Sequence, residues 1–132
     1  MTKREMWFLD LHLTLNQKIS KKKSKLLFDF GTPIMAAYFI VRCEYHDMDN
    51  YKEYAKAAAQ AVKNFGGKFL VTGKGIQSQK ESGQYPKTVI VEFETIEIAI
   101  ACYECDLYHE ALSHIEHSSD RDFVIAEGLE TS

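Results

Sequence analysis

Several things this chain lacks narrow what it can be. No apolar run approaches the ~20 residues that a membrane-crossing helix needs, so no membrane partner is expected. Cysteine is scarce: Cys43, Cys102 and Cys105 make an odd count without a disulfide-like framework. They read as reduced thiols of a cytoplasmic protein. There is no Ser-His-Asp pattern, no glycine-rich phosphate loop and no dinucleotide fingerprint, so no cofactor is expected. The N-terminus does not read as a signal peptide, because Asp10, His12 and Asn16 interrupt any apolar core region. Basic charge is short over most of the chain. Residues 1–34 hold seven Lys/Arg against three Asp/Glu, a charge of +4, whereas residues 35–132 hold nine against sixteen, −7, together the −3 of the whole. An acidic body argues against nucleic acid as a partner, and the run Lys21-Lys22-Lys23 with Lys25 reads as a short solvated charge cluster.

Hydrophobic patterning divides the chain at Met35. Before it, Trp7, Leu9, Leu11, Leu13 and Leu15 alternate with Phe8, Asp10, His12, Thr14 and Asn16, a strand period that Gly31-Thr32-Pro33 ends. Residues 1–34 are therefore expected to be an extension: a flexible arm, an added strand, or sequence upstream of a start at Met35. Residues 35–132 read as one domain.

In that domain the first strand spans about 36–45, with Tyr38, Ile40 and Arg42 on one face and Phe39, Val41 and Cys43 on the other. Asp47 or Asp49 can cap a helix over about 50–65, whose stripe is Tyr51, Tyr54, Ala55, Ala58, Val62 and Phe65. Gly66-Gly67 stops it. A short strand at 68–73 leads into a polar loop at 74–86. Residues 87–94 alternate again: Val89, Val91 and Phe93 against Thr88, Ile90 and Glu92. Thr95 caps a helix to about 104, and Asp106 can cap a second piece at 107–117. Ser118-Ser119-Asp120 reads as a turn before a last strand at 122–127.

This β-α-β-β-α-β order predicts an α+β, ferredoxin-like sandwich of four strands with two helices on one face. The central strands carry large apolar residues on both faces, so the open face predicts a homodimer with two sheets packed as a dimeric α/β barrel.

The residues that follow this pattern resemble the domain-of-unknown-function family 1330 of the dimeric α/β-barrel superfamily. The resemblance rests on Ala37-Tyr38-Phe39-Ile40-Val41, Tyr51-Lys52-Glu53-Tyr54, Gly66-Gly67-Lys68-Phe69, Val89-Ile90-Val91-Glu92-Phe93, the run from Cys102-Tyr103 to Tyr108, and Glu127-Gly128. It covers essentially Met35 to Leu129, and no single motif is specific. It implies the ferredoxin-like fold and the dimer but no established reaction, since the wider superfamily includes cofactor-free monooxygenases, isomerases and haem enzymes. The family tends to have Arg where this chain has Thr72 and Trp where it has Cys102.

The candidate ligand-pocket residues are Tyr38, Arg42, Tyr51, Glu92, Tyr103 and Tyr108: tyrosines with apolar bodies and hydroxyl tips, and a charged pair on one sheet face. Arg42 and Glu92 read as a coupled pair that sets dimer register. His46, near a sheet end, is the candidate acid/base. Cys102-Tyr103-Glu104-Cys105 has redox spacing, but Cys102 falls late in its helix and both thiols read as buried packing. Glu110, His114 and His117 read as a solvated helix face rather than a metal site. Two functions follow. One is a homodimeric small-molecule-binding or structural module; the other is a cofactor-independent enzyme of the monooxygenase or isomerase kind. A closed apolar cavity with a few convergent polar groups, such as Tyr103, Tyr108 or His46, would speak for the enzyme, and a filled core for the binding or structural module.

Overall fold

The computed structural model describes residues 35–81 and 83–130; the expected extension at 1–34 lies outside them. Among the described residues are four strands, three α-helices and one 3-10 turn. Strand β1 (Ala37–Tyr45) leads to helix α1 (Met48–Asn64) and strand β2 (Lys68–Val71). Strand β3 (Lys87–Phe93) is followed by helices α2 (Ile96–Glu104) and α3 (Asp106–Ala111), a 3-10 turn at Leu112–His114 and strand β4 (Ser119–Glu127). The sheet has the order β2-β3-β1-β4, and every neighbouring pair is antiparallel.

The alternation in the sequence sorts the two sheet faces. Phe39, Val41 and Cys43 are buried, as are Val91 and Phe93 beside them on β3. These side chains share one face with Phe123 and Ile125 of β4, set by the pairs Phe39–Ile125 and Val41–Phe123. The helices cover this face. Aromatic rings fill it: Phe39 lies 4.6 Å from Phe93 and 4.8 Å from Phe123, and Tyr103 lies 5.0 Å from Phe123. Tilted and edge-to-face packing of this kind adds to the burial of each ring. On the opposite face Ile40 and Val124 stay exposed.

Local chemistry sets the helix ends. Asp47 caps α1 by accepting from the Asn50 amide at 3.1 Å. After α1 the Gly67 amide donates to Val62 O at 2.9 Å and the Gly66 amide to Lys63 O at 3.1 Å. With Gly66 at φ +72° this is a Schellman stop. Thr95 caps α2 through the Ile98 amide at 3.2 Å.

Four expectations need correction. The last strand starts at Ser119, not at 122. Ser118 O accepts from the amides of His46 and Asp47 at 2.8 and 3.2 Å, which pins this segment beside the end of β1. The cap of α3 is Cys105, whose sulfur accepts from the Tyr108 amide at 3.4 Å, rather than Asp106. The helix there ends at Ala111 and tightens into the 3-10 turn, short of 117. Arg42 and Glu92 share a face but do not pair: Arg42 stands opposite Thr88 and Glu92 opposite Tyr38, at opposite ends of the two strands.

Candidate functional site

Helix α1 crosses the sheet on small residues. Ala55, Ala58 and Ala59 take little room above the sheet, and a cavity of about 410 Å³ remains beneath them. Phe39, Val41, Val89 and Val91 line it from the sheet side. Met48 and Phe69 also line it and are about half exposed, at 50% and 46%, so this edge opens to solvent. The segment Thr72-Gly73-Lys74 after β2 completes the wall. Tyr45 packs on Tyr51 with ring centroids 4.4 Å apart.

One end of this apolar space is polar. Arg121 enters it from β4 because its strand partner is the buried Cys43, which puts both on the helix-facing side. Its Nη1 donates to the Tyr54 hydroxyl at 2.8 Å. The Tyr54 and Tyr108 hydroxyls are hydrogen-bonded to one another. The guanidinium carbon sits 4.8 Å from the Tyr54 ring centroid and 4.9 Å from that of Phe123, within cation–π range. Burial works to lower the Arg121 pKa, but the Tyr54 and Tyr108 hydroxyls more than offset it and the net shift is upward, so the group stays charged. Burial pushes the Tyr108 phenol well above its ordinary value, with the guanidinium opposing, so it is a neutral hydroxyl. Burial likewise raises Tyr51. The residues lining the cavity include no carboxylate, no histidine and no thiol.

The expected pocket residues divide across the sheet. Tyr51 and Tyr108 line the cavity. Tyr103 packs behind Tyr108, with ring centroids 5.2 Å apart, in the layer beneath. Tyr38, Arg42 and Glu92 are on the open face, because strand alternation turns them away from Phe39, Val41, Val91 and Phe93. Tyr38 donates to Glu92 Oε2 at 3.4 Å. Arg42 donates to Gln79 Oε1 at 2.7 Å, and also to Thr88 Oγ1 and to the Tyr85 carbonyl, so it fastens the 77–86 loop to the sheet. His46 lies away from the cavity, on the surface, with Nε2 2.8 Å from Asp120 Oδ2.

Arg121 is the site residue that the sequence patterns do not single out. The signal for Arg121 is its phase with Phe123 and Ile125, which the turn-like Ser118-Ser119-Asp120 hides. Tyr54, on the buried stripe of α1, is one of five tyrosines whose hydroxyl tips suit a pocket lining, although it is not among the six candidates.

Cys102 and Cys105 are buried, and burial raises both thiol pKa values, the reverse of a reactive redox pair. His114 Nδ1 is 2.9 Å from Asn50 Oδ1. Among the described residues no group of three or more His, Cys, Asp or Glu side chains is placed to hold a metal ion. No helix among them is long and apolar enough to cross a membrane.

Comparison with known proteins agrees with the fold. The model of the family described as Domain of unknown function (DUF1330) matches residues 36–129, and the chain belongs to that family. Among solved structures, the crystal structure of a protein of unknown function from Rhodopseudomonas palustris is similar with a TM-score of 0.58 and 13% identity. The match covers 83% of this chain and 95% of that one. A structure of the methylated form matches with the same TM-score and identity over 82% of this chain and 91% of that one. At this identity the likeness is one of fold. No curated protein matches the chain.

Proposed function

We propose that this protein is a homodimeric small-molecule-binding module with one pocket per subunit, between α1 and the sheet. The observation that carries the reading is the 410 Å³ apolar cavity ending in the Tyr54–Tyr108–Arg121 cluster. A purely structural role gives no reason to keep that volume unfilled, because an empty apolar space forfeits packing. Ligand sites are typically apolar hollows with a few convergent polar groups, in this size range.

The same feature favours a second reading, a cofactor-independent enzyme, over a structural role. Against it stands the chemistry of the lining. A general base works best with a pKa near the operating pH. The cavity lining has no His, Asp, Glu or Cys, while Tyr51 and Tyr108 are shifted further from neutrality. Binding is therefore the reading that needs least of these residues.

The strand order β2-β3-β1-β4 with β-α-β-β-α-β connectivity supports a ferredoxin-like arrangement. The open face supports pairing of two sheets. Three free, buried cysteines favour the cytoplasm.

The test is native mass spectrometry of the purified protein beside an Ala55→Leu variant, whose larger side chain fills the cavity from α1. A co-purified mass is expected on the wild type and not on the variant, with the variant as heat-stable as the wild type or more so. Equal retention by both would show that the ligand sits elsewhere.

A further inference from the structure

We propose that the cavity takes a small organic monoanion: a carboxylate on an apolar body, with the carboxylate held by Arg121 and the phenols of Tyr54 and Tyr108. This rests on the binding reading above and names the class of its ligand.

Arg121 brings a positive charge to the end of the apolar cavity. A cation withdrawn from water is costly unless it is paired. Its partners in the fold are neutral: the Tyr54 hydroxyl at 2.8 Å, the Tyr108 hydroxyl, and the rings of Tyr54 and Phe123. No carboxylate lines the cavity. The acids adjacent to it in sequence, Asp120 and Asp122, alternate onto the opposite face and are exposed. Among the described residues the guanidinium thus has no counter-ion. Phenol oxygens also cannot occupy all the N–H donors of a guanidinium.

Proton counting in the tyrosine pair points the same way. Two hydroxyls carry two protons, and the bond between Tyr54 and Tyr108 uses one. The site therefore offers one spare phenolic O–H beside guanidinium N–H groups that the phenols leave unfilled. A carboxylate has only acceptors, and a planar guanidinium matches its geometry. One half-buried cation balances one negative charge, which favours a carboxylate over a doubly charged phosphate ester. Phe39, Val41, Val89 and Val91 then require the rest of the ligand to be apolar. Lys74, exposed where it meets the cavity, adds positive charge at the approach, on a domain that is otherwise acidic.

The test titrates the full chain by NMR with straight-chain carboxylates from propionate to decanoate and with phenylacetate, each beside its neutral amide. The acid of at least one pair should bind about tenfold or more tightly than its amide, as charge-assisted hydrogen bonds predict. Arg121→Gln should bring acid and amide to parity, and Arg121→Lys should keep part of the preference. The comparison of acid with amide on the wild type does not depend on either variant folding. If amides bind as well as acids and Ala55→Leu weakens both, the anion assignment is overturned and the pocket stands. If no probe binds and native mass spectrometry finds no ligand, the pocket reading falls with it.

Discussion

His46 shows what a histidine does on this fold when it is not at the site. It follows β1 directly and meets Asp120, which β4 places there by pairing with Glu44. The hydrogen bond to the Asp120 carboxylate raises its pKa above the ordinary 6.5, with slight desolvation opposing and the charges of Asp120 and Glu44 adding to the rise. The pair contributes stability that is fully present below pH ~6.5 and is lost as the pH climbs through the folded-state pKa. Both partners are exposed, so the effect on stability is small and salt-sensitive. An NMR titration of the ring protons should give a midpoint above 6.5. Asp120→Asn should return it close to that value, and an unchanged midpoint would mean that the contact is not formed in solution.

At the scale of elements, the turn after α1 separates two glycine requirements. Gly66 has φ +72° and open space where a Cβ would be, so its need is conformational. A Cβ on Gly67 would come 2.7 Å from Phe93 Cε1 and 2.7 Å from Val62 Cγ1, so its need is room. Gly66→Ala should cost about 1–2 kcal/mol, the price of a left-handed backbone. Gly66→Asn should recover part of this, since Asn tolerates that conformation. Gly67→Ala should cost about 1–3 kcal/mol through overpacking, and Gly67→Asn more. Urea denaturation of the four variants checks the ordering; a rescue of Gly67 by Asn would contradict it.

Elements also show where the sequence was legible. Strand alternation groups Phe39 with Val41 and Val89 with Val91 and Phe93, Asp47 is one of two caps read for α1, and Thr95 is the cap read for α2, because these signals are local. The start of β4 was not local. Ser119, Asp120 and Arg121 are polar and read as turn and linker; they are strand because Tyr45, Glu44 and Cys43 stand opposite them. That three-residue error concealed Arg121, the charged group of the site. Arg42 was misassigned for a related reason: facing can be read from alternation, but position along the partner strand depends on register. Gln77 is another contact no local pattern shows. Its side-chain amide donates to Thr88 O at 2.9 Å and accepts from Thr88 N at 2.7 Å, standing in for strand pairing where β2 has already ended.

At the scale of the whole molecule, the sheet has two faces and the described chain covers one. Ile40 stands beside Ile90 on β3 and Val124 on β4, an apolar row across three strands. Ile40 and Val124 are 38% and 54% exposed, and Arg42, Asp122, Tyr38 and Glu92 flank the row. An apolar centre inside a polar rim is the anatomy of an interface, and a self-complementary one closes with twofold symmetry. The protein is expected to sediment as a dimer at micromolar concentration. Ile40→Asp or Val124→Asp should weaken the dimer by about a hundredfold or more, because each would bury an unpaired charge. A chain beginning at Met35 should remain dimeric; if it became monomeric, residues 1–34 would belong to the interface. A wild-type monomer at that concentration would overturn the proposed assembly while leaving the cavity untouched, since the cavity and the apolar row lie on opposite faces of one sheet. Ligand binding and dimerisation should therefore be separable: Ile40→Asp should still bind a carboxylate, and Ala55→Leu should still dimerise.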